Sequence, residues 1–220
     1  MLENSVFART TTTDSLISPG VYNLIIGATL AYGFGVNYLM VQHLPLASIQ
    51  SINPFVFIIG YFASCLLGIY LFNKSNNPLV SFLGYNLVVV PFGLIINLAV
   101  SRYNDTIVGN AIMVTGGVTV IMMFCGTLFP RFFQRIIGAV TIALIAVIVV
   151  QVGFIFFTGT FPPILDWIVV LIFCAYIGYD WGRANGIPKT VDNAVDSAAA
   201  LYMDIINLFL AILRIMGRRN

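Results

Sequence analysis

The fold is decided by two apolar stretches that each contain one aspartate, Ile177-Gly178-Tyr179-Asp180-Trp181 and Ala200-Leu201-Tyr202-Met203-Asp204-Ile205-Ile206-Asn207-Leu208-Phe209. A charged side chain at the centre of a bilayer costs at least about 2.5–3.5 kcal/mol, so such groups usually pair, line a wet cavity or carry function. Asp180 and Asp204 lie on consecutive predicted helices joined by a short link. We therefore expect the two carboxylates to meet and to form the functional site.

The composition around these stretches is that of an integral membrane protein. The 220 residues are 60% hydrophobic and 8% charged, whereas soluble domains carry roughly 25% charged residues. The formal net charge of +2 is small and its cations are scattered, which argues against a nucleic-acid partner. The three cysteines lie apart in apolar runs, without metal-binding or redox spacing.

Seven stretches have the roughly 20 mostly apolar residues that a membrane helix needs. Because only short links join them, we predict a single all-α membrane protein, a seven-helix bundle. The segments are Val21 to Val41, Ile52 to Phe72, Leu79 to Val100, Ile107 to Phe129, Ile136 to Phe157, Ile164 to Asp180 and Ala198 to Met216. We assign residues 1–19 to a polar N-terminal segment, 20–216 to the membrane domain and 217–220 to a basic C-terminal tail.

One face of the seventh segment carries a narrow stripe of small and polar residues. Counted at helical spacing from Asp204, this face collects Ala200, Asn207, Ala211 and Arg214, while the other sides are apolar. A helix of this kind belongs in the middle of a bundle, with the stripe facing a cavity or a partner. We therefore predict that the C-terminal helix is the central one.

The link between the sixth and seventh segments, Trp181 to Asp196, contains glycine and proline and is predicted to turn. At the end of the sixth segment, Gly178 and Gly182 are expected to let the seventh helix come close. Asp192 and Asp196 add acidity to this region. We interpret both as solvated surface charges.

The aspartate pair suggests a proton-sensitive latch. Two carboxylates held close in a low dielectric do not both ionise cheaply, so they share a proton and titrate as a unit. The doubly ionised pair would hold a divalent cation such as calcium, which favours carboxylate oxygens. The residues alone leave a second interpretation equally open, in which Asp180 and Asp204 are each satisfied separately by Tyr179, Asn207 or Arg214.

Lysine and arginine in the short links set the expected orientation. With a cytoplasmic N-terminus, the outer loops hold only Arg102, whereas the inner segments hold Arg9, Lys74, Arg131, Arg135, Arg183 and Lys189. Seven full spans would then place the tail cations Arg214, Arg218 and Arg219 outside. We expect a cytoplasmic N-terminus in a bacterial inner membrane and leave the side of the C-terminus open.

The C-terminal stretch resembles the signature of the Bax inhibitor-1 family, also called the transmembrane Bax inhibitor motif family. The matching residues are Tyr179-Asp180, the run from Leu201 to Phe209, and Leu213-Arg214. The run is specific, because an aspartate inside that order of apolar residues is hard to obtain by chance. Before about Phe173 the chain matches in general character.

The resemblance implies a seven-helix bundle with a central last helix and a pH-sensitive calcium leak. It also implies that Asp180 and Asp204 are the pH-sensing pair of the family's bacterial members. Family members often carry a basic partner for this pair in the second helix. Here the second segment contains no charged residue, so Arg214 or Arg183 is expected to substitute.

The leading hypothesis is thus a cation leak channel in the lipid bilayer, with calcium ions and protons as its ligands and no other cofactor. The alternatives are a non-transporting stress or cell-death regulator that acts through protein partners, and a proton-coupled cation exchanger. An enzyme is not expected, because the only histidine, His43, has no nucleophile motif nearby and no zinc-binding spacing appears. A retinal protein needs a lysine within a helix, and Lys74 and Lys189 lie in predicted links.

Overall fold

The computed structural model describes residues 15–159 and 161–218. Most of the predicted N-terminal segment, with Arg9, therefore lies outside the described residues. The same holds for Arg219 and Asn220 of the predicted basic tail.

The described part of the chain consists of helices joined by short links, and it contains no strand. Seven of these helices are long and apolar enough to cross a membrane, which confirms the predicted all-α membrane protein. One further helix is only five residues long. In chain order they are α1 Pro19–His43, α2 Leu46–Gln50, α3 Pro54–Lys74, α4 Pro78–Val100, α5 Asp105–Leu128, α6 Pro130–Thr158, α7 Pro163–Gly186 and α8 Val191–Gly217.

Four of the membrane helices begin with a side-chain cap. Ser18, Asn53, Asn77 and Asn104 each accept a hydrogen bond from a backbone N–H of the first turn. In α1, α3 and α4 a proline follows the cap directly, where its missing N–H is not needed. Each of these caps satisfies a backbone N–H of the first turn that has no partner within the helix, so the sequence favours a helix start at these positions.

The link between α7 and α8 is shorter than predicted. Helix α7 continues through Gly186 and α8 begins at Val191. The prediction that the link extends from Trp181 to Asp196 is therefore wrong. Gly182, one of the glycines on which the predicted turn depends, lies inside α7, where a Cβ would lie 2.9 Å from the Gly126 carbonyl oxygen. The hydroxyl of Thr190 accepts a hydrogen bond from the backbone N–H of Asn193 at 3.1 Å, and this contact caps the start of α8.

The described residues divide into two compact units. Unit 1 comprises residues 15–102 and 186–202, and unit 2 comprises residues 103–159, 161–185 and 203–218. Helix α8 contributes its first part to unit 1 and its second part to unit 2. It is the most buried span: 72% of its most apolar stretch is buried, against 6% to 50% in the other six. This burial agrees with the prediction of a central C-terminal helix.

In unit 1, α4 packs against α1, α2 and α3. The carbonyl oxygen of Gly68 would lie 2.7 Å from a Cβ built on Gly84, so the two helix backbones approach closely there. Buried polar contacts hold the first part of α8, up to Tyr202, within unit 1. The Tyr202 hydroxyl donates a hydrogen bond to Asn37 Oδ1, and the Tyr22 hydroxyl lies 3.0 Å from the Ser197 hydroxyl.

Asp192 and Asp196 are buried in unit 1, at 4% and 9% exposure. Interpreting them as solvated surface charges is therefore wrong. Ser81 of α4 donates a hydrogen bond of 2.8 Å to Asp192 Oδ1. The two aspartates lie on the first turns of the most buried helix, and this location accounts for the difference.

Candidate functional site: a buried aspartate pair

Unit 2 brings the two predicted aspartates together. Asp180 lies on α7 and Asp204 on α8, and their carboxyl groups are within side-chain hydrogen-bonding reach of each other. Both are sheltered: the Asp180 side chain is 11% exposed and Asp204 is 6% exposed. Ionised carboxylates only accept hydrogen bonds, so a bond between these two requires a proton on one of them.

A cation on the same helix accompanies the pair. Arg183 Nη1 lies 3.2 Å from Asp180 Oδ1, three residues further along α7. The guanidinium also lies 6.0 Å from the centre of the Tyr179 ring. We call Asp180, Asp204 and Arg183 the acidic cluster, because it holds two carboxyl groups for one cation. The candidates Arg183 and Tyr179 from the sequence are thus located at the pair.

The other two supporting candidates have hydrogen-bond or ion-pair partners outside the aspartate pair. Asn207 donates its side-chain N–H to the Met203 carbonyl of its own helix at 2.8 Å. Arg214 is ten residues beyond Asp204, or about 15 Å along the helix axis, which is too far for an ion pair. Arg214 as a partner of the aspartate pair is therefore wrong. Helical spacing placed it on the right face of α8 but at the wrong height.

Arg214 belongs to a second ionic cluster. Its Nε lies 2.7 Å from Asp166 Oδ1, and Arg218 Nη1 lies 2.8 Å from Asp166 Oδ2. The second approach is an ion pair without an aligned hydrogen bond. The Asp166 side chain is fully buried, whereas the two arginines are 34% and 33% exposed. We call these three residues the basic cluster, because it holds two cations for one carboxylate.

Sequence reasoning missed Asp166, although the chain carries a signal for it. Asp166 precedes Asp180 by fourteen residues, and Arg218 follows Asp204 by the same interval. Fourteen residues are close to four helical turns. In two antiparallel neighbouring helices, a contact between one pair of positions therefore predicts a contact between the other.

The glycines beside Asp180 do not face α8. A Cβ on Gly178 would meet the ring of Phe133, and one on Gly182 would lie 2.9 Å from the Gly126 carbonyl oxygen. The prediction that Gly178 and Gly182 admit the seventh helix is therefore wrong. They let α5 and α6 approach α7 instead. Helices α5 and α6 therefore pack directly against the α7 backbone next to Asp180.

A further hydroxyl lies near the pair. The Tyr176 hydroxyl is 2.8 Å from the Thr141 hydroxyl of α6, and Tyr176 is within electrostatic range of both Asp180 and Asp204. Tyr176 precedes Asp180 by one helical turn. Sequence reasoning did not single it out, because a tyrosine in a membrane helix is common.

A family model described as "Inhibitor of apoptosis-promoting Bax1" matches residues 16–220. The chain belongs to the Bax inhibitor-1 family. The matched residues include both clusters and all seven spans, so the resemblance that was drawn from the C-terminal residues is confirmed over almost the whole chain. The same match makes it a membrane protein of this family.

Curated proteins that are similar to this chain agree with the family assignment. Bax inhibitor 1 of Schizosaccharomyces pombe is 26% identical over 170 residues, which cover 75% of this chain and 62% of that protein. An uncharacterized membrane protein of Streptococcus pyogenes is 29% identical over 135 residues, covering 58% and 59%. A BI1-like protein of Arabidopsis thaliana is 51% identical over 47 residues, covering 21% and 18%. The chain thus matches about six-tenths of the length of the first two relatives.

The oxygen ligands that the chain offers bear on the expected calcium site. Calcium takes six to eight oxygen ligands. Within residues 15–159 and 161–218, no group of three or more histidine, cysteine, aspartate or glutamate side chains is placed to hold a metal ion. Asp180 and Asp204 supply four carboxylate oxygens at most, so the pair fits a passing cation with part of its water shell better than a closed cage.

Proposed function

We propose that the chain forms a pH-sensitive cation leak across the membrane, with calcium as the preferred ion, and that the acidic cluster is its gate. One observation carries the proposal: α7 and α8 bring Asp180 and Asp204 together, buried from solvent, in a family of membrane proteins. Buried carboxyl pairs of this kind belong to ion paths or proton relays more often than to packing.

The gate works through the charge of the pair. When both groups are ionised, the cluster carries two negative charges against the one positive charge of Arg183, and it attracts a divalent cation. A proton shared by Asp180 and Asp204 removes that excess negative charge. The cation then leaves, and the two side chains are joined by a hydrogen bond. A change of one proton thus switches the cluster between two contact states.

Arg183 supplies the cation that family members often place in the second helix. In this chain the second span, α3, carries Lys74 in its last turn as its only charged residue. Asp180 is paired with Arg183 three residues away on the same helix. The sensor is therefore contained in α7 and α8, and the other spans act on it through packing.

The test is calcium flux into proteoliposomes across a pH series. Asp180→Asn and Asp204→Asn are each expected to flatten the dependence of flux on pH, because an amide cannot take up or release the proton. Asp105→Asn is the matched control, since Asp105 is an exposed aspartate at the start of α5. If both pair variants keep the wild-type curve, the gate is rejected.

The second candidate is a non-transporting membrane regulator that acts through protein partners. The name of the fission-yeast relative, Bax inhibitor 1, favours this second candidate. The same vesicles separate the two functions, because a regulator would carry no calcium at any pH. A proton-coupled exchanger would differ again, since its flux would depend on the proton gradient and stop when that gradient is collapsed.

We also propose a cytoplasmic N-terminus in a bacterial inner membrane. The support is the excess of lysine and arginine in alternate links and the similarity to the streptococcal membrane protein. Accessibility labelling of single cysteines in the α3–α4 and α4–α5 links would test the orientation. Labelling of the first link from outside the cell would contradict it.

A further inference from the structure

The basic cluster joins the end of α8 to the start of α7. Asp166 lies in the first turn of α7, Arg214 lies in the last turn of α8, and Arg218 directly follows the end of α8 at Gly217. A carboxylate is favourable at a helix N-terminus and a cation at a C-terminus. The three charges thus suit the helix ends that carry them, and the cluster spans the boundary between the two helices.

The contacts of this cluster define one position of α8 along α7. Arg214 reaches one oxygen of Asp166 and Arg218 reaches the other. Arg218 also donates a hydrogen bond of 3.0 Å to the Phe161 carbonyl. Both guanidinium groups lie over the Phe161 ring, at 5.3 and 5.7 Å from its centre. Two rigid, planar groups are therefore held on both sides of one buried carboxylate.

A slip of α8 would break this arrangement at once. Each residue of slip moves a side chain by 1.5 Å along the helix axis and turns it by about 100°. Asp166 would then be left buried without its cations, at a cost of several kcal/mol. Such a slip would carry Asp204 away from Asp180 by the same amount, because Asp204 and Arg214 lie on the same continuous helix.

We propose that Asp166, Arg214 and Arg218 are positioning residues that fix the register of α8 on α7 and so hold Asp204 against Asp180. This inference rests on the proposed function in one respect: the calcium-flux measurement that tests it requires the gate, whereas the infrared measurement does not. The titratable and charged groups of described residues near the pair are Arg183, Tyr176 and Tyr179, all on α7. The basic cluster is four turns away and acts on the pair through register, since its charges are too distant for direct contact.

The main variant is Asp166→Asn, and two properties of the intact protein in vesicles are measured. One is the pH midpoint of calcium flux. The other is the pH midpoint of the infrared carboxylic C=O band that disappears in Asp204→Asn. Loss of register separates the pair and weakens proton sharing, so both midpoints are expected to move to lower pH by about one unit. Asp166→Glu keeps the negative charge, so both midpoints are expected to stay close to their wild-type values.

Arg218→Gln is the milder second variant, because Arg214 still compensates Asp166. It is expected to shift both midpoints in the same direction by less. The matched controls are Asp105→Asn and Arg131→Gln, which change exposed charges at the starts of α5 and α6 and are expected to leave both midpoints in place. If Asp166→Asn does not fold, Arg218→Gln decides.

The outcomes separate this inference from the proposed function. If wild type carries no calcium but Asp166→Asn or Arg218→Gln shifts the infrared midpoint, the leak fails and the positioning role stands. If wild-type flux is gated by pH and neither variant moves either midpoint, the positioning role is overturned and the gate stands. A midpoint shift equal to that of the exposed controls would also overturn it.

Discussion

The acidic cluster and the basic cluster join the same two helices but carry opposite charge balances. Asp180 and Asp204 share one cation, Arg183, and all three side chains are largely sheltered. The basic cluster gives one fully buried carboxylate two cations that reach solvent. The first arrangement has a second carboxyl group with which to share a proton. The second has none.

This difference separates a switch from a fixed contact. A carboxyl pair with one cation has two charge states open to it, because a shared proton can replace the missing positive charge. A lone carboxylate between two guanidinium groups is already compensated, and protonating it would leave two like charges facing each other. In the proposed gate, the contact that is expected to change and the contact that is expected to persist therefore lie about 21 Å apart along one helix pair.

The largest expected effect comes from removing both cations of the basic cluster. Arg214→Gln with Arg218→Gln leaves Asp166 buried and uncompensated, which we expect to cost about 3–5 kcal/mol of unfolding free energy. Unfolding in detergent, followed by circular dichroism, measures this loss. Adding Asp166→Asn should recover part of it, because the buried charge is then gone. No recovery in the triple variant would mean that the arginines stabilise the protein by other contacts.

A smaller effect is expected where α5 meets α7, two residues before Asp180. A Cβ on Gly126 would overlap the Gly178 carbonyl oxygen, and backbone cannot move aside as a side chain can. Gly126→Ala should therefore cost about 1–3 kcal/mol and disturb the acidic cluster more than the basic one. Gly117→Ala, on the same helix with open space around it, is the control and should be neutral or mildly stabilising. Equal losses in both variants would contradict the close approach.

Next in size is the removal of the single cation of the acidic cluster. Arg183 favours the ionised form of Asp180. Arg183→Gln should therefore make protonation easier and move the pH midpoint of flux upward by about one unit. Arg183→Lys, which keeps the charge, should move it less. The direction is opposite to that expected for Asp166→Asn, so a downward shift here would remove the distinction between the two clusters.

The smallest effect concerns Lys189, which lies in the α7–α8 link and belongs to neither cluster. Burial lowers the pKa of Lys189, and its ammonium group lies 4.6 Å from the centre of the Tyr22 ring. Between the lowered pKa and the ordinary value of about 10.4, the unfolded chain binds more protons than the native one. The free energy of unfolding should therefore rise with pH across this alkaline window.

Lys189→Met should remove that alkaline rise and leave the flux midpoint unchanged. Melting temperature measured in detergent between about pH 8 and pH 10.5 follows the effect. Lys74→Met, at the end of α3, serves as the comparison. A slope that persists in Lys189→Met would assign the alkaline stabilisation to another group.

The membrane spans were largely predictable because long apolar runs have few other uses. The ends of the spans were not. Helix α6 begins at Pro130, six residues before the predicted start, because Arg131 and Arg135 lower the apolar character of its first turns. The extensions of α7 and α8 were hidden in the same way by polar residues that the folded chain buries or pairs.

The site was predictable in part for a related reason. An aspartate between apolar residues is conspicuous, so Asp180 and Asp204 could be named and their proximity expected. The cation could not be assigned, because periodicity gives the face of a helix but not its height against a neighbour. Arg183 and Arg214 were equal candidates on that information. One observed contact between α7 and α8 defines the position of one helix along the other, and from that position the pairing of Asp166 with Arg214 and Arg218 can be predicted.

Both cations that compensate Asp166, one at the end of α8 and one directly after it, follow α7 in the chain. During synthesis α7 therefore emerges from the ribosome before either arginine exists. Entering lipid alone with an ionised aspartate is unfavourable, by up to about 2.5–3.5 kcal/mol for a charge at the centre of a membrane helix and by less near its end. The insertion machinery should thus retain α7 until its successor arrives and release the two as a helical hairpin.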